Sequence, residues 1–262
     1  MKTALKVAIL CALAVAVFSV IYLSLRTYFE LEGYEFVGDG DCVLRLNYST
    51  NRPAVARLTT AENLLVSETE LSPGESRADL KVAENRETPG SALVLTIEQG
   101  GRTILTGSFP PPSLQISLTS VVEWGWDPAA GQSTIQAVAI RIANSGGLPA
   151  YVHRITGLLD GRLVGGSSTE WSPAGEGPVD MWIMPGAEEN PTVRWSGPTI
   201  SPGYHGFKVT AEGIGGEELA SMAFPSIINV PSEYLHGTNE AENWEGSVNA
   251  PAGWHRPESW RM

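Results

Sequence analysis

Leu93-Val94-Leu95-Thr96-Ile97-Glu98-Gln99-Gly100-Gly101 decides the fold class. Leu93, Leu95 and Ile97 alternate with Val94, Thr96 and Glu98, the period-two pattern of a strand with one buried face. The glycine pair then supplies the positive φ that a tight hairpin turn requires, and the chain returns toward Phe109-Pro110. The same alternation places Val138, Ile140 and Ile142 on one face, with Ala139, Arg141 and Ala143 on the other. Upstream, Cys42, Leu44, Leu46 and Tyr48 alternate with Val43, Arg45 and Asn47. With 28 Gly and 18 Pro among 262 residues, short apolar runs are punctuated throughout. The expectation is an all-β protein.

Two segments read as diverged copies of one unit. Ser72-Pro73-Gly74 leads into a strand around Leu80 and Val82, and Ser201-Pro202-Gly203 leads into Phe207 and Val209. The hairpin closing at Phe109-Pro110 corresponds to Thr210-Ala211-Glu212, Gly215-Gly216 and Phe224-Pro225. Repetition at this scale predicts two domains of one architecture. The expected organisation is two tandem β-sandwich domains over residues 27–109 and 114–231. Pro110-Pro111-Pro112 forms a stiff linker at 110–113, and a polar, Trp-containing tail spans 232–262.

Val138-Ala139-Ile140-Arg141-Ile142-Ala143-Asn144-Ser145-Gly146-Gly147-Leu148-Pro149-Ala150, followed by Gly157-Leu158-Leu159-Asp160-Gly161, resembles the CARDB and LEA14 (WHy) type of immunoglobulin-like domain. In that pattern a strand ends at an Asn-Gly corner, Pro opens the next strand and an Asp-Gly turn closes it. The resemblance covers about a third of the chain. It implies seven-stranded β-sandwiches of prokaryotic surface proteins, archaeal ones among them, with adhesion-like use and no shared catalytic residues.

The N-terminus predicts placement. Residues 7–25 form an uncharged apolar run broken only by Ser19, Tyr22 and Ser24; as a helix it would span roughly 28 Å, close to the hydrocarbon thickness of a bilayer. Lys2 and Lys6 precede the run, whereas Arg26 is followed by Glu30, Glu32, Glu35, Asp39 and Asp41. The positive-inside rule puts the N-terminus in the cytoplasm and the bulk outside, with residues 1–26 a retained transmembrane signal anchor. The alternative is a cleaved signal peptide using Ala12-Leu13-Ala14 or Ala14-Val15-Ala16. Cleavage there would leave a short apolar core and a mature chain that starts apolar.

All 29 acidic residues lie beyond Arg26, while three of the 17 basic ones do not, so the exterior is more acidic than the −12 of the whole chain. Such a surface repels phosphate backbones, which argues against nucleic acid as a partner. Cys11 falls within the apolar run and Cys42 outside it, so the two are not disulfide partners; Cys42 is expected to pack as a small core hydrophobe.

No nucleophile elbow, phosphate loop or His-Glu-x-x-His pattern is present, and His153, His205, His236 and His255 lack metal-ligand spacing. No enzymatic activity is expected. Asp39-Gly40-Asp41 offers two hard oxygen ligands and is the candidate calcium site, although calcium takes six or more oxygens. Asn47-Tyr48-Ser49 is the candidate glycosylation sequon, with Asn47 on the outward face. Trp244, Trp254 and Trp260 in the tail are candidate partner-binding anchors.

Three functions follow from these features. The first is a membrane-anchored extracytoplasmic structural or interaction protein of the cell envelope, in contact with other envelope proteins or with itself. The second is an accessory subunit of a membrane protein complex, and the third an exported carbohydrate-binding module.

Overall fold

The structure, a computed structural model, describes residues 28–127, 132–160, 171–200, 203–230 and 246–247. The expected anchor at 1–26 lies outside them. Regular structure among the described residues is strand throughout, in four sheets. No helix among them is long and apolar enough to cross a membrane.

The chain divides into two compact units. Unit 1 takes the chain up to Val37, with Val43–Lys81 and Val94–Gly107; unit 2 takes Gly38–Cys42, Val82–Leu93 and everything from Ser108. Seven strands come first: β1 (Phe29–Gly38), β2 (Cys42–Thr50), β3 (Ala54–Thr60), β4 (Leu65–Leu71), β5 (Arg77–Ala83), β6 (Leu93–Gln99) and β7 (Arg102–Phe109). They form a three-stranded sheet ordered β1-β2-β5 and a four-stranded sheet ordered β4-β3-β6-β7.

Burial in β2 follows the residue types strictly: Cys42, Leu44, Leu46 and Tyr48 are buried and the residues between them half-buried. In β6, Leu93, Leu95 and Ile97 are likewise buried. Gly100 and Gly101 join β6 to β7 at φ 59° and 75°. Both central residues are thus left-handed, as a type I′ turn needs to match the twist of its strands.

In unit 2 the strands are β8 (Leu114–Asp127), β9 (Gln132–Asn144), β10 (Ala150–Asp160), β11 (Trp171–Ile183), β12 (Glu188–Glu189), β13 (Thr192–Arg194), β14 (Gly203–Glu212), β15 (Glu218–Val230) and β16 (Gly246–Ser247). One sheet is ordered β12-β9-β8-β16, with β13 also pairing β9; the other is ordered β11-β10-β14-β15. A single apolar cluster draws on both, including Trp124, Val138, Ile140, Val152, Trp195, Phe207 and Val209. Two sheets sharing one core are consistent with a β-sandwich.

Pro110 to Ser113, expected as a spacer, is hydrogen-bonded to the corner that follows β9. Ser145 N–H donates to the Ser113 carbonyl at 2.9 Å and Gly147 N–H to the Pro110 carbonyl at 3.2 Å. Asn144, 2 % exposed, organises that corner. Its Oδ1 accepts from the Ser113 and Gly146 amides at 3.1 and 2.9 Å, and its Nδ2 donates to the Leu148 and Ile183 carbonyls at 2.8 and 3.0 Å. The second hairpin is looser than the first. Gly213 to Glu217 close a wider turn in which only Gly216 has positive φ, at 81°.

Candidate functional site

Two features of the surface stand out, one in each unit. In unit 1 the β3–β4 turn contains Asn63 at φ 64°, a conformation asparagine tolerates better than most residues. Thr60 accepts the Asn63 amide at 3.0 Å and donates its own amide to the Leu64 carbonyl at 2.8 Å, which tightens the tip. Immediately after it, Leu64, Leu65 and Val66 are 66 %, 60 % and 39 % exposed. Leu64 ends the turn, and Leu65 and Val66 open β4, which pairs on one side with β3 and ends its sheet. Farther along, the Ser67 hydroxyl accepts the Lys81 amide at 3.0 Å, so the uncovered stretch is the apolar start of the strand. Exposed apolar residues at the start of an edge strand, continued by Leu64 in the turn, form a template for strand addition.

In unit 2, Tyr151 is the centre of a polar network. It lies 2 % exposed on β10, opposite Trp182 of β11, with ring centroids 5.3 Å apart and an interplanar angle of 67°. Beside this pair the register slips: Val152 pairs with Met181 and Arg154 with Pro178, so Val179 and Asp180 face the single residue His153. This is a β-bulge. Asp180 sits in it at φ 50° and receives the Tyr151 hydroxyl at 3.1 Å and His153 Nδ1 at 2.7 Å. The His153 hydrogen bond chiefly holds the Asp180 carboxyl below the ordinary carboxylate range, against a smaller opposing effect of burial. Burial, and then the hydrogen bond to Asp180, push the Tyr151 phenol up.

The loop after β5 closes over the same tyrosine. Asn85 and Arg86 are both left-handed, at φ 52° and 64°, and the Arg86 guanidinium carbon lies 5.5 Å from the Tyr151 ring centroid. Thr88 Oγ1 accepts the Tyr151 amide at 2.9 Å and donates to its carbonyl at 3.4 Å. Of the four left-handed non-glycine residues described, Arg86 and Asp180 thus meet around one side chain, with Asn85 next to Arg86 in sequence. Such a concentration of backbone strain persists only where surrounding contacts over-determine it.

Chemically, Asp180 orients His153 as a carboxylate orients a general base. A reaction would also need a nucleophile beside the ring, and among the described residues Asp180 is the hydrogen-bond partner of His153. What the arrangement supplies is a braced surface with a half-exposed imidazole and carboxylate.

The residues singled out from sequence are dispersed. Asp39 and Asp41 occupy the β1–β2 turn, where Asp39 N–H donates to the Asp41 carbonyl at 3.1 Å and Asp41 Oδ1 accepts the Asn85 amide at 2.9 Å. Among the described residues no group of three or more His, Cys, Asp or Glu could hold a metal ion. Asn47 is half-buried on β2, the central strand of its sheet. Trp244, Trp254 and Trp260 lie outside the described residues, although the tail returns as β16, whose Gly246 and Ser247 pair with Val121 and Ser120. The Tyr151 network went unread in the sequence because its members are brought together by pairing and not by spacing. The Leu64-Leu65-Val66 run was visible there, but nothing in its composition distinguishes an edge from a core strand.

No family model matches the chain and no curated protein matches it. Among solved structures it is similar to Ruminococcus gnavus β-glucuronidase in complex with uronic isofagomine, at 20% identity over 36% of this chain and 17% of that one, with a TM-score of 0.25. The apo form of that enzyme gives 20% identity over 36% and 18%, with a TM-score of 0.24. The chain therefore spans less than a fifth of those proteins, and likeness at this level carries no argument about activity.

Proposed function

We propose that the chain is a membrane-anchored, extracytoplasmic structural or interaction protein of the cell envelope, built on tandem immunoglobulin-like sandwiches and acting by protein–protein contact. The observation that carries this reading is the exposed Leu64-Leu65-Val66 run at the start of the edge strand β4. An incoming strand would gain main-chain hydrogen bonds there and bury apolar side chains, the strand-addition mode of recognition. The apolar run at 7–25, with its basic N-terminal flank, supports the anchor and the outward placement of everything after it.

Purification of the full chain from its membrane in mild detergent, followed by mass spectrometry, tests the reading. Specific partners should copurify, and Leu64→Glu with Leu65→Glu should release them while the β-type circular dichroism persists. Integral membrane subunits among them would make the chain an accessory subunit of a complex, and envelope proteins or further copies of itself a structural component. A partner-free monomer, or a partner set indifferent to both substitutions, would defeat the contact reading. Protease applied to intact cells should release a fragment of nearly full size, and full protection would defeat the topology.

A further inference from the structure

Strand β7 ends the sheet ordered β4-β3-β6-β7, at the opposite edge from β4. Arg102, Thr103 and Ile104 at its start are exposed, Ile104 by 43 %. The stretch Arg102-Thr103-Ile104-Leu105-Thr106 is rich in β-branched and apolar residues, which favour a strand, and it has no proline to withhold an amide. Such an edge is a template for a further strand.

Charge decides which strand that is. The chain carries 29 acidic residues against 17 basic ones, so two copies approach with least repulsion where carboxylates are missing. From Arg102 to Phe109, β7 has none. The other long strands that end a sheet, β1, β4, β5, β11 and β15, each carry at least one, such as Glu30 and Glu32 on β1 and Glu68 and Glu70 on β4. Like charges brought opposite each other destabilise an antiparallel pair. The β7 edge is therefore the one suited to meeting its own equivalent.

The register of such a self-pair follows from the sequence. Two β7 strands related by a two-fold axis run antiparallel, and a residue on the axis meets itself. With Ile104 there, Thr103 lies opposite Leu105 and Arg102 opposite Thr106. Ile104 then covers its exposed side chain with its own equivalent, as a β-branched cross-strand pair. The two Arg102 residues start roughly 14 Å apart along the ladder, beyond the Debye length at physiological salt. Moving the axis to Thr103 would halve that separation and set Ile104 opposite a guanidinium.

We infer that two copies of the chain associate through β7, antiparallel and with Ile104 on the two-fold axis, so that their four-stranded sheets run on as one. The β4 edges, which carry the proposed partner contact, stay at the two ends of the joined sheet. The pairing is short, and it gains from copies held in one membrane, where their effective concentration is high. In that respect alone it rests on the anchored reading.

Cysteine crosslinking of the full chain, in the cells that express it, tests the inference. Residues opposed in an antiparallel pair have Cα atoms about 4.5–5.5 Å apart, inside disulfide range. Ile104→Cys should give a disulfide-linked dimer under mild oxidation, and mass spectrometry of the joined peptides separates that link from any at Cys11. Arg102→Cys and Thr106→Cys should each stay unlinked alone and link to each other when coexpressed. An unlinked Ile104→Cys would overturn the pairing, and Arg102→Cys linking to itself as readily as to Thr106→Cys would overturn the register. Because a disulfide can trap rare collisions, sedimentation of the cysteine-unaltered chain in mild detergent gives a second measurement. Wild type should be a dimer, and Ile104→Lys should weaken it about tenfold or more; a monomeric wild type or an unweakened variant would overturn the proposal. Leu64→Glu with Leu65→Glu should leave the dimer intact. Loss of the dimer there would place the self-contact at β4 and overturn its assignment to β7, whereas an intact dimer without partners would bear on the proposed function alone.

Discussion

The Tyr151 hydroxyl donates to Asp180 at 3.1 Å, and Asp180 reaches it from a left-handed backbone at φ 50°. The bulge in β11 is what allows this, because the extra residue re-aims the carboxylate toward β10. Asp180→Ala should therefore lose in two ways: a buried-ring hydroxyl loses its acceptor, and a β-carbon remains in a strained conformation without local compensation. The expected cost is about 1–3 kcal/mol. Asp180→Asn keeps an acceptor and tolerates left-handed φ, so it should cost less. Urea unfolding of both variants, followed by circular dichroism, gives the ranking; equal midpoints for Ala and wild type would remove Asp180 from the network.

The same carboxylate makes a pH prediction. Its pKa is depressed in the fold, first through the His153 hydrogen bond. The folded state therefore binds the proton less readily than the unfolded state does. The resulting stabilisation is full above the ordinary carboxylate pKa and disappears as pH falls through the depressed one. At 46 % side-chain exposure, solvent screening keeps it modest. Unfolding midpoints measured from about pH 6 down to about pH 2 should converge for wild type and Asp180→Asn at the acid end. A constant gap across that range would show that the carboxylate charge contributes nothing.

These groups show where the sequence was legible. Strands β2 and β6 could be read because each has its own period, with Cys42, Leu44, Leu46 and Tyr48 buried in one and Leu93, Leu95 and Ile97 in the other. Gly100-Gly101 could be read because a turn is local, and both φ values are positive as expected. By contrast, β11 carries Pro173, Gly175, Gly177 and Pro178 in place of an alternation, and prolines of this kind are tolerated on the edge strand it forms. Asn144 reads as a turn residue until the Ile183 carbonyl, 39 positions away, becomes its partner. Thr88 and Tyr151 are 63 positions apart. No spacing in one sequence encodes such meetings; they follow from which strands pair.

Asn144 should prove the least replaceable polar residue of unit 2. All four of its side-chain hydrogen bonds end on backbone groups, and it is 2 % exposed. Asn144→Ala would strand two amides and two carbonyls at once, at an expected cost of about 2–5 kcal/mol. Asn144→Asp should be at least as damaging at neutral pH, because it sets a carboxylate oxygen against the Leu148 and Ile183 carbonyls and forfeits both donors. Thermal unfolding checks the pair, and an Asp variant as stable as wild type would contradict the assignment of donors and acceptors at this corner.

Cys42 supplies a chemical probe of the first strands. Its side chain is fully buried and burial pushes the thiol up to about 12. The thiolate is the reactive form, so the native protein should react with iodoacetamide roughly a thousandfold more slowly at Cys42 than a free thiol does. Unfolding in urea should abolish that protection. Cys11 lies elsewhere in the chain, so the modified peptides must be separated and identified by mass spectrometry and not scored by total thiol. A reaction at Cys42 that is fast in buffer and unaccelerated by urea would mean that β2 does not bury this face, and the alternation from Cys42 to Tyr48 would have to be assigned to a different packing.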